Sequence, residues 1–306
     1  MNIMVPVSSS TQVKRLSDAG ADEFYMGIFD ERWNDAFGVF EELNRMSSFG
    51  QIANVKYSEA FEIIATCQSL NKKVFLTLNS NHYSKEQKKY LEKILVNEKI
   101  KKVDGIIVGD LTLIPLLKQY NYKITLSTMG AAYNSLIIKQ YMELGIARII
   151  IPRDVQLVDI ERIIQLFPEL EFEVFLMRNG CKYSDAYCTA FHARKYGSMC
   201  SCIDAEKPRI KWMEDTVSDS YKREFISNNN LFTKAFHKKA CGLCAIQYFQ
   251  DIGVGSVKIV GRADDKDSIE NDVRIVRSII DKRDVDDSRY VNCLYGMNCY
   301  YVSSYK

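Results

Sequence analysis

Ile124-Thr125-Leu126, Ala147-Arg148-Ile149-Ile150-Ile151 and Phe172-Glu173-Val174-Phe175-Leu176 are three short, largely apolar runs separated by two amphipathic segments, Ser135–Leu144 and Val155–Leu166. Gly145 closes the first segment and Pro168 follows the second, so each reads as a helix with a stop signal. Short Val/Ile/Leu/Phe runs that alternate with helices are the pattern of parallel strands covered on both faces. The same alternation extends in both directions. Ile3–Pro6, Glu23–Met26, Val74–Leu78 and Gly105–Val108 precede this stretch, and Val257–Val260 follows it. Ser10-Thr11 precedes a helix Gln12–Asp18 that Gly20 ends. Glu59–Leu70 places Phe61, Ile64 and Ala65 on one face. Ser84 and Gln87 stand at capping-box spacing ahead of a helix to about Val96, and Lys266–Lys282 closes the regular part.

Eight strands alternating with helices predict an α/β fold, a TIM-like (β/α)8 barrel. A doubly wound open sheet is the main structural alternative; no G-x-G-x-x-G follows the first strand, which weakens a dinucleotide-binding reading. The rhythm breaks once, between the seventh and eighth strands. The expected division is therefore a barrel over 1–176 plus 254–282 and a cysteine-rich insertion over 177–253. A tyrosine-rich tail over 283–306 would pack on the barrel or on a partner. Loops that follow barrel strands sit at the C-terminal face, where active sites are built.

The 306 residues are 47% hydrophobic and 26% charged, which excludes disorder. Lys plus Arg is 41 against 39 Asp plus Glu, a net charge of +2, so only a local basic patch could serve nucleic acid. The first residues, MNIMVPVSSS, lack the charged and apolar regions of a secretion signal. No apolar run reaches membrane-spanning length. The expected location is cytoplasmic, with reduced thiols. Of the nine cysteines only Cys67 lies in the first 180 residues; the others are Cys181, Cys188, Cys200, Cys202, Cys241, Cys244, Cys293 and Cys299. An odd count in a chain of this size does not suit a disulfide scaffold and points to metal or redox chemistry. Zinc has one C-x2-C pair in its favour, Cys241 and Cys244. An iron–sulfur cluster takes four thiolates and tolerates wide spacing. Cys67, on an apolar helical face, is expected in the core.

Polar residues at the strand ends are Tyr25, Asn79, Asp110, Ser127, Thr128, Arg153, Arg178 and Arg262. The planar guanidinium fork suits carboxylates, and a carboxylate can act as a base. Asp110, Arg153 and Arg262 are thus the catalytic candidates. The structural alternative is that Arg153 and Arg262 pair with barrel carboxylates such as Asp110. No H-E-x-x-H is present, and the three histidines, His82, His192 and His237, lie in no nucleophile motif.

Five segments resemble one family. They are Ala19-Gly20-Ala21-Asp22-Glu23-Phe24-Tyr25-Met26-Gly27, Leu126-Ser127-Thr128 with Asn134-Ser135, and Leu144–Arg153. The others are Glu173-Val174-Phe175 leading to Cys181 and Cys188, and Ile252–Arg262. Together they resemble the collagenase-like proteins, family thirty-two of the peptidases of unknown catalytic type. In length the chain is similar to the iron–sulfur pair used for oxygen-independent ubiquinone hydroxylation. The resemblance implies a [4Fe-4S] cluster held by Cys181, Cys188, Cys241 and either Cys202 or Cys200, because the family's C-x3-C is shortened here to C-x1-C. It implies support of oxygen-independent hydroxylation, or a related modification, of an RNA base, a quinone precursor or a peptide. Prephenate would be a hydroxyl donor. An iron–sulfur-dependent enzyme is favoured. The alternatives are a peptidase, as the family name says, and a non-catalytic cluster-bearing subunit that works with a protein partner. Met129 and Val260 replace polar residues of the family pattern, which implies a different substrate from its well-known branches.

Overall fold

The computed structural model describes residues 1–38, 41–181, 185, 186, 188, 240–282, 300 and 301, together with the backbone of 192–193, 197–198 and 298–299. Eight parallel strands form a closed barrel: β1 (Asn2–Pro6), β2 (Glu23–Phe29), β3 (Lys73–Leu78), β4 (Gly105–Val108), β5 (Ile124–Leu126), β6 (Arg148–Ile150), β7 (Glu171–Met177) and β8 (Ser256–Ile259). Each strand pairs with the next in order. β8 pairs with both β7 and β1, which closes the ring and excludes the open sheet. A two-residue strand, Val55–Lys56, adds to the end of β2.

The helices between strands are α1 (Ser10–Ala19), α2 (Glu31–Phe37), α3 (Ala60–Ser69), α4 (Lys85–Leu95), α5 (Ile114–Gln119), α6 (Ser135–Glu143), α7 (Leu157–Leu166), α8 (Ile246–Asp251) and α9 (Lys266–Asp281). Local signals explain most of their ends. Ser9 caps α1, one residue earlier than the Ser10-Thr11 signal suggested, and Gly20 ends it. Ser84 and Gln87 form the expected reciprocal capping box of α4. The buried face of α3 differs from expectation. It is Ala60, Ile63, Ile64 and Cys67; Phe61 is half-buried and Ala65 exposed, because the helix is rotated about one residue from the predicted phase. The short helix α2, capped by Asp30, has no counterpart among the predicted elements.

The described end of the long β7–β8 connection belongs to the barrel wall. Ala240–Cys241 pairs antiparallel with Met177, and α8 occupies the helix position before β8. Asn298–Cys299 then pairs parallel with Ala240–Cys241. Among the described residues no helix is long and apolar enough to cross a membrane.

The barrel interior is ionic at its N-terminal end. Arg148, 3% exposed, forks onto Glu23 (2.6 and 2.8 Å) and reaches Glu173 (3.3 Å) and Glu171. Its guanidinium lies 4.7 Å over the Phe75 ring. Lys258 bonds Glu173 at 2.7 Å and sits 4.2 Å over the Tyr25 ring. Glu23 and Glu173 are fully buried. A charge removed from water is tolerated when paired and hydrogen-bonded, and removing one partner typically costs about 3–5 kcal/mol. Burial pushes the Glu23 carboxyl up, but the Arg148 hydrogen bond and charge outweigh it and hold it below the ordinary carboxylate range.

Replacing Arg148 by Met should therefore destabilise the barrel by about 3–5 kcal/mol in denaturant unfolding, because buried Glu23 loses the guanidinium that forks onto it while Glu173 keeps Lys258. Acid provides a second reading of the network. A depressed carboxyl adds stability above its unfolded value, and that stability disappears as pH falls through the folded value. Glu23→Gln should flatten the loss of stability on acidification that the wild type shows below the ordinary glutamate range.

Candidate functional site at the barrel mouth

The C-terminal ends of the strands carry the polar residues that the sequence singles out, and they divide into two groups. Arg262 follows β8 and is half-buried. Its Nη1 donates to Asn44 Oδ1 (2.7 Å) and Asn54 Oδ1 (3.0 Å), and its Nη2 donates to the carbonyl of Arg45. All three acceptors are uncharged and lie on the connection after β2. Gly27 makes the approach possible, since a Cβ there would overlap Arg262 Nη1, Asn54 Oδ1 and Asn44 Oδ1. Burial pulls the Arg262 guanidinium below its usual range, and Tyr25 and Glu42 counter that.

Arg153, after β6, has a different environment. Its Nε donates to Asp185 Oδ2 at 2.8 Å, its Nη1 to the carbonyl of Asn179, and its guanidinium lies 4.4 Å over the Phe175 ring. Neither arginine pairs with Asp110. That carboxylate accepts from Tyr83 N (2.8 Å), Thr112 N (2.9 Å) and Thr112 Oγ1 (2.7 Å), so both oxygens order the turns after β3 and β4. Arg178 turns away from the mouth toward Asp264 (3.5 Å) and Asp272 on α9. Ser127 caps the turn Thr128–Gly130.

The described cysteines also separate. Cys67 is fully buried on α3, and burial pushes its thiol up to about 12, so it is a core residue as expected. Cys181 and Cys241 both stand near the C-terminal end of β7. Cys241 is the register partner of Met177, the last residue of β7, and Cys181 lies four residues beyond that strand. Tyr300 lies beside Cys241, to whose carbonyl its N–H donates. Burial raises its hydroxyl, Arg153 opposes that, and the charges of Asp185, Cys181 and Cys241 add to it. Cys188 belongs to the same connection. Its Sγ accepts from Arg45 Nη2 at 3.1 Å, its carbonyl from Asn81 Nδ2 at 2.8 Å, and its N–H donates to the Asp185 carbonyl at 3.1 Å. Cys200, Cys202 and Cys293 lie outside the described residues.

The segment at 298–301 fastens this corner. Tyr300 N donates to the Cys241 carbonyl at 2.8 Å, Tyr300 Oη to the Arg178 carbonyl, and Tyr301 Oη to the Phe175 carbonyl at 2.7 Å. The Tyr301 ring fits over Gly242, where a Cβ would come within 2.9 Å of it. Sequence reasoning gave the tail no residue-level role, although its clustered tyrosines were a usable signal. It also passed over Arg45 and Asn81, which carry no motif.

The family comparison matches the model of peptidase family U32 over residues 8–294. The chain belongs to peptidase family U32. It is 26% identical over 288 residues to an uncharacterized protease of Methanocaldococcus jannaschii, covering 92% of this chain and 65% of that protein. It is 22% identical over 287 residues to the tRNA hydroxylation protein P of Helicobacter pylori strain J99, covering 92% of this chain and 64% of that protein. The chain therefore spans slightly under two thirds of the length of these relatives. A solved U32 peptidase structure shares 12% identity at a TM-score of 0.43, over 58% of this chain and 69% of that one.

Soft thiolates on one connection, with cationic side chains beside them, are a donor set that suits an iron–sulfur cluster rather than a hard cation. Among the described residues no three His, Cys, Asp or Glu side chains converge at metal-ligating distances. Gly27→Ala should displace Arg262 from its three acceptors. Overpacking of this kind typically costs about 1–3 kcal/mol, read as a lower midpoint in thermal or denaturant unfolding.

Proposed function

We propose that this U32 member is a [4Fe-4S] protein that supports oxygen-independent hydroxylation of a transfer-RNA base. The observation that carries the reading is the placing of three cysteines of the β7–β8 connection at the barrel mouth: Cys181 four residues past β7, Cys241 in register with Met177, and Cys188 with its Sγ 3.1 Å from Arg45 Nη2. The residues that would hold the cluster are Cys181, Cys188, Cys241 and one of Cys202 and Cys200. A bound cluster would supply one-electron chemistry or, with an open iron, a Lewis acid. The RNA substrate is drawn from the hydroxylation proteins among the relatives.

The chain's own residues have separable tasks in this reading. Arg153 sets positive charge next to Cys181 and is itself fixed by Asp185 and the Phe175 face. Arg262 offers a guanidinium whose structural partners are neutral amide oxygens, so its charge is available to a carboxylate such as that of a prephenate-like donor. The Tyr301 ring and the strand at 298–299 cover the outer side of the Cys241 turn.

The peptidase reading rests on the family name and on the uncharacterized protease among the relatives. A hydrolytic triad needs a base beside a nucleophile. Of the three histidines only His82 has a described side chain; it is 77% exposed, and its Nδ1 faces Asp110 at 3.8 Å.

Anaerobically purified protein should be brown and carry about four irons and four sulfides per chain. Single Ser replacements of Cys181, Cys188 or Cys241 should lower that content, and Cys67→Ser should leave it unchanged. Colourless, iron-free anaerobic protein would sink the reading. Zinc in place of iron would convert the site to a structural or hydrolytic one.

A further inference from the structure

Arg45 has no place in any of the sequence motifs, yet it joins two parts of the mouth. Its side chain is 11% exposed and lies 3.6 Å from Glu42. Its Nη2 points at Cys188 Sγ at 3.1 Å, and its carbonyl is gripped by Arg262. Arg262 in turn is anchored by Asn44 and Asn54. The guanidinium that reaches the thiol is therefore carried on a backbone turn clamped from β8, on the far side of the β1–β2 seam. Cys188 is held independently through its own backbone by Asn81 and Asp185. The contact thus joins two separately fixed groups.

We propose that Arg45 is a positioning residue for the cluster, donating an N–H···S hydrogen bond to the ligand Cys188 and setting the cluster's reduction potential. The inference rests on the iron–sulfur reading above and assigns a role that the reading itself does not need. Hydrogen bonds and positive charge at a ligating sulfur stabilise the reduced cluster, which carries one more negative charge. Loss of the donor makes reduction harder. Arg is suited to the task because it stays charged at every working pH and its fork is rigid. Lys at the same position would keep the charge but reach the sulfur as a flexible point donor.

The test uses the full chain, loaded anaerobically, with Arg45→Met and Arg45→Lys beside the wild type. Iron and sulfide are quantified, and the midpoint potential is measured by dye-mediated titration followed by electron paramagnetic resonance. The expected result is a potential shifted to more negative values in Arg45→Met, a smaller shift in Arg45→Lys, and iron content equal to wild type. Iron lost from Arg45→Met but kept in Arg45→Lys, with the barrel intact by circular dichroism, also supports the proposal, because the donor then holds the ligand as well as tuning it. An unchanged potential in iron-replete Arg45→Met overturns it, as does equal iron loss in both variants. A wild type that takes up no iron defeats the cluster reading itself, a separate outcome seen before either variant is compared.

Discussion

The ion network of Arg148 with Glu23, Glu171 and Glu173, extended by Lys258, is the interaction on which the rest of the barrel depends. It lies inside a closed ring of strands, where an unpaired charge has no water to turn to. Glu23 belongs to β2, Arg148 to β6, Glu173 to β7 and Lys258 to β8. The network therefore spans the interior and ties opposite walls together. A slip of one residue in any of these strands would reverse its inward and outward faces and strand a charge. Register is thus specified by electrostatics as well as by apolar packing, and the C-terminal rim inherits that precision.

The rim converts the register into a site. Two motifs more than two hundred positions apart in sequence meet where Gly27 gives room to Arg262. The residues between them in space, Asn44, Arg45 and Asn54, come from the connection after β2. Elsewhere on the rim Arg153 holds Asp185, and Tyr300 bonds the carbonyls of Cys241 and Arg178. The two arginines differ in kind. Arg153 is neutralised by Asp185, whereas the acceptors around Arg262 are uncharged.

Much of the fold is legible in the sequence. All eight strands fall where their apolar runs stand, because buried parallel strands need continuous Val, Ile, Leu and Phe. The capping box at Ser84 and Gln87 forms as its spacing predicts. The interior charges are harder to read. Arg148 and Glu173 sit inside apolar runs and look like edge residues until the ring closes. The site is legible by type and less so by role. The cysteine pattern points to the C-terminal end of the barrel, where Cys181 and Cys241 stand; Asp110 orders two turns there, and Arg178 faces α9. Side-chain direction at a strand end depends on the local turn, and Arg178 adopts a positive φ of 67° that nothing in its neighbours announces. Arg45 and Asn81 are invisible for a related reason, since each matters only through a partner distant in sequence.

The pairing of Asn298–Cys299 with Ala240–Cys241 also has a temporal meaning. The carbonyl groups of Phe175, Arg178 and Cys241 find their tyrosine-strap partners only in Tyr300 and Tyr301. During synthesis the eighth strand can close the ring well before those two residues leave the ribosome. The barrel is then topologically complete while the wall beside Cys241 still lacks its outer strand. Completion of the wall beside Cys241 therefore follows closure of the ring, because residues 298–301 are made after β8.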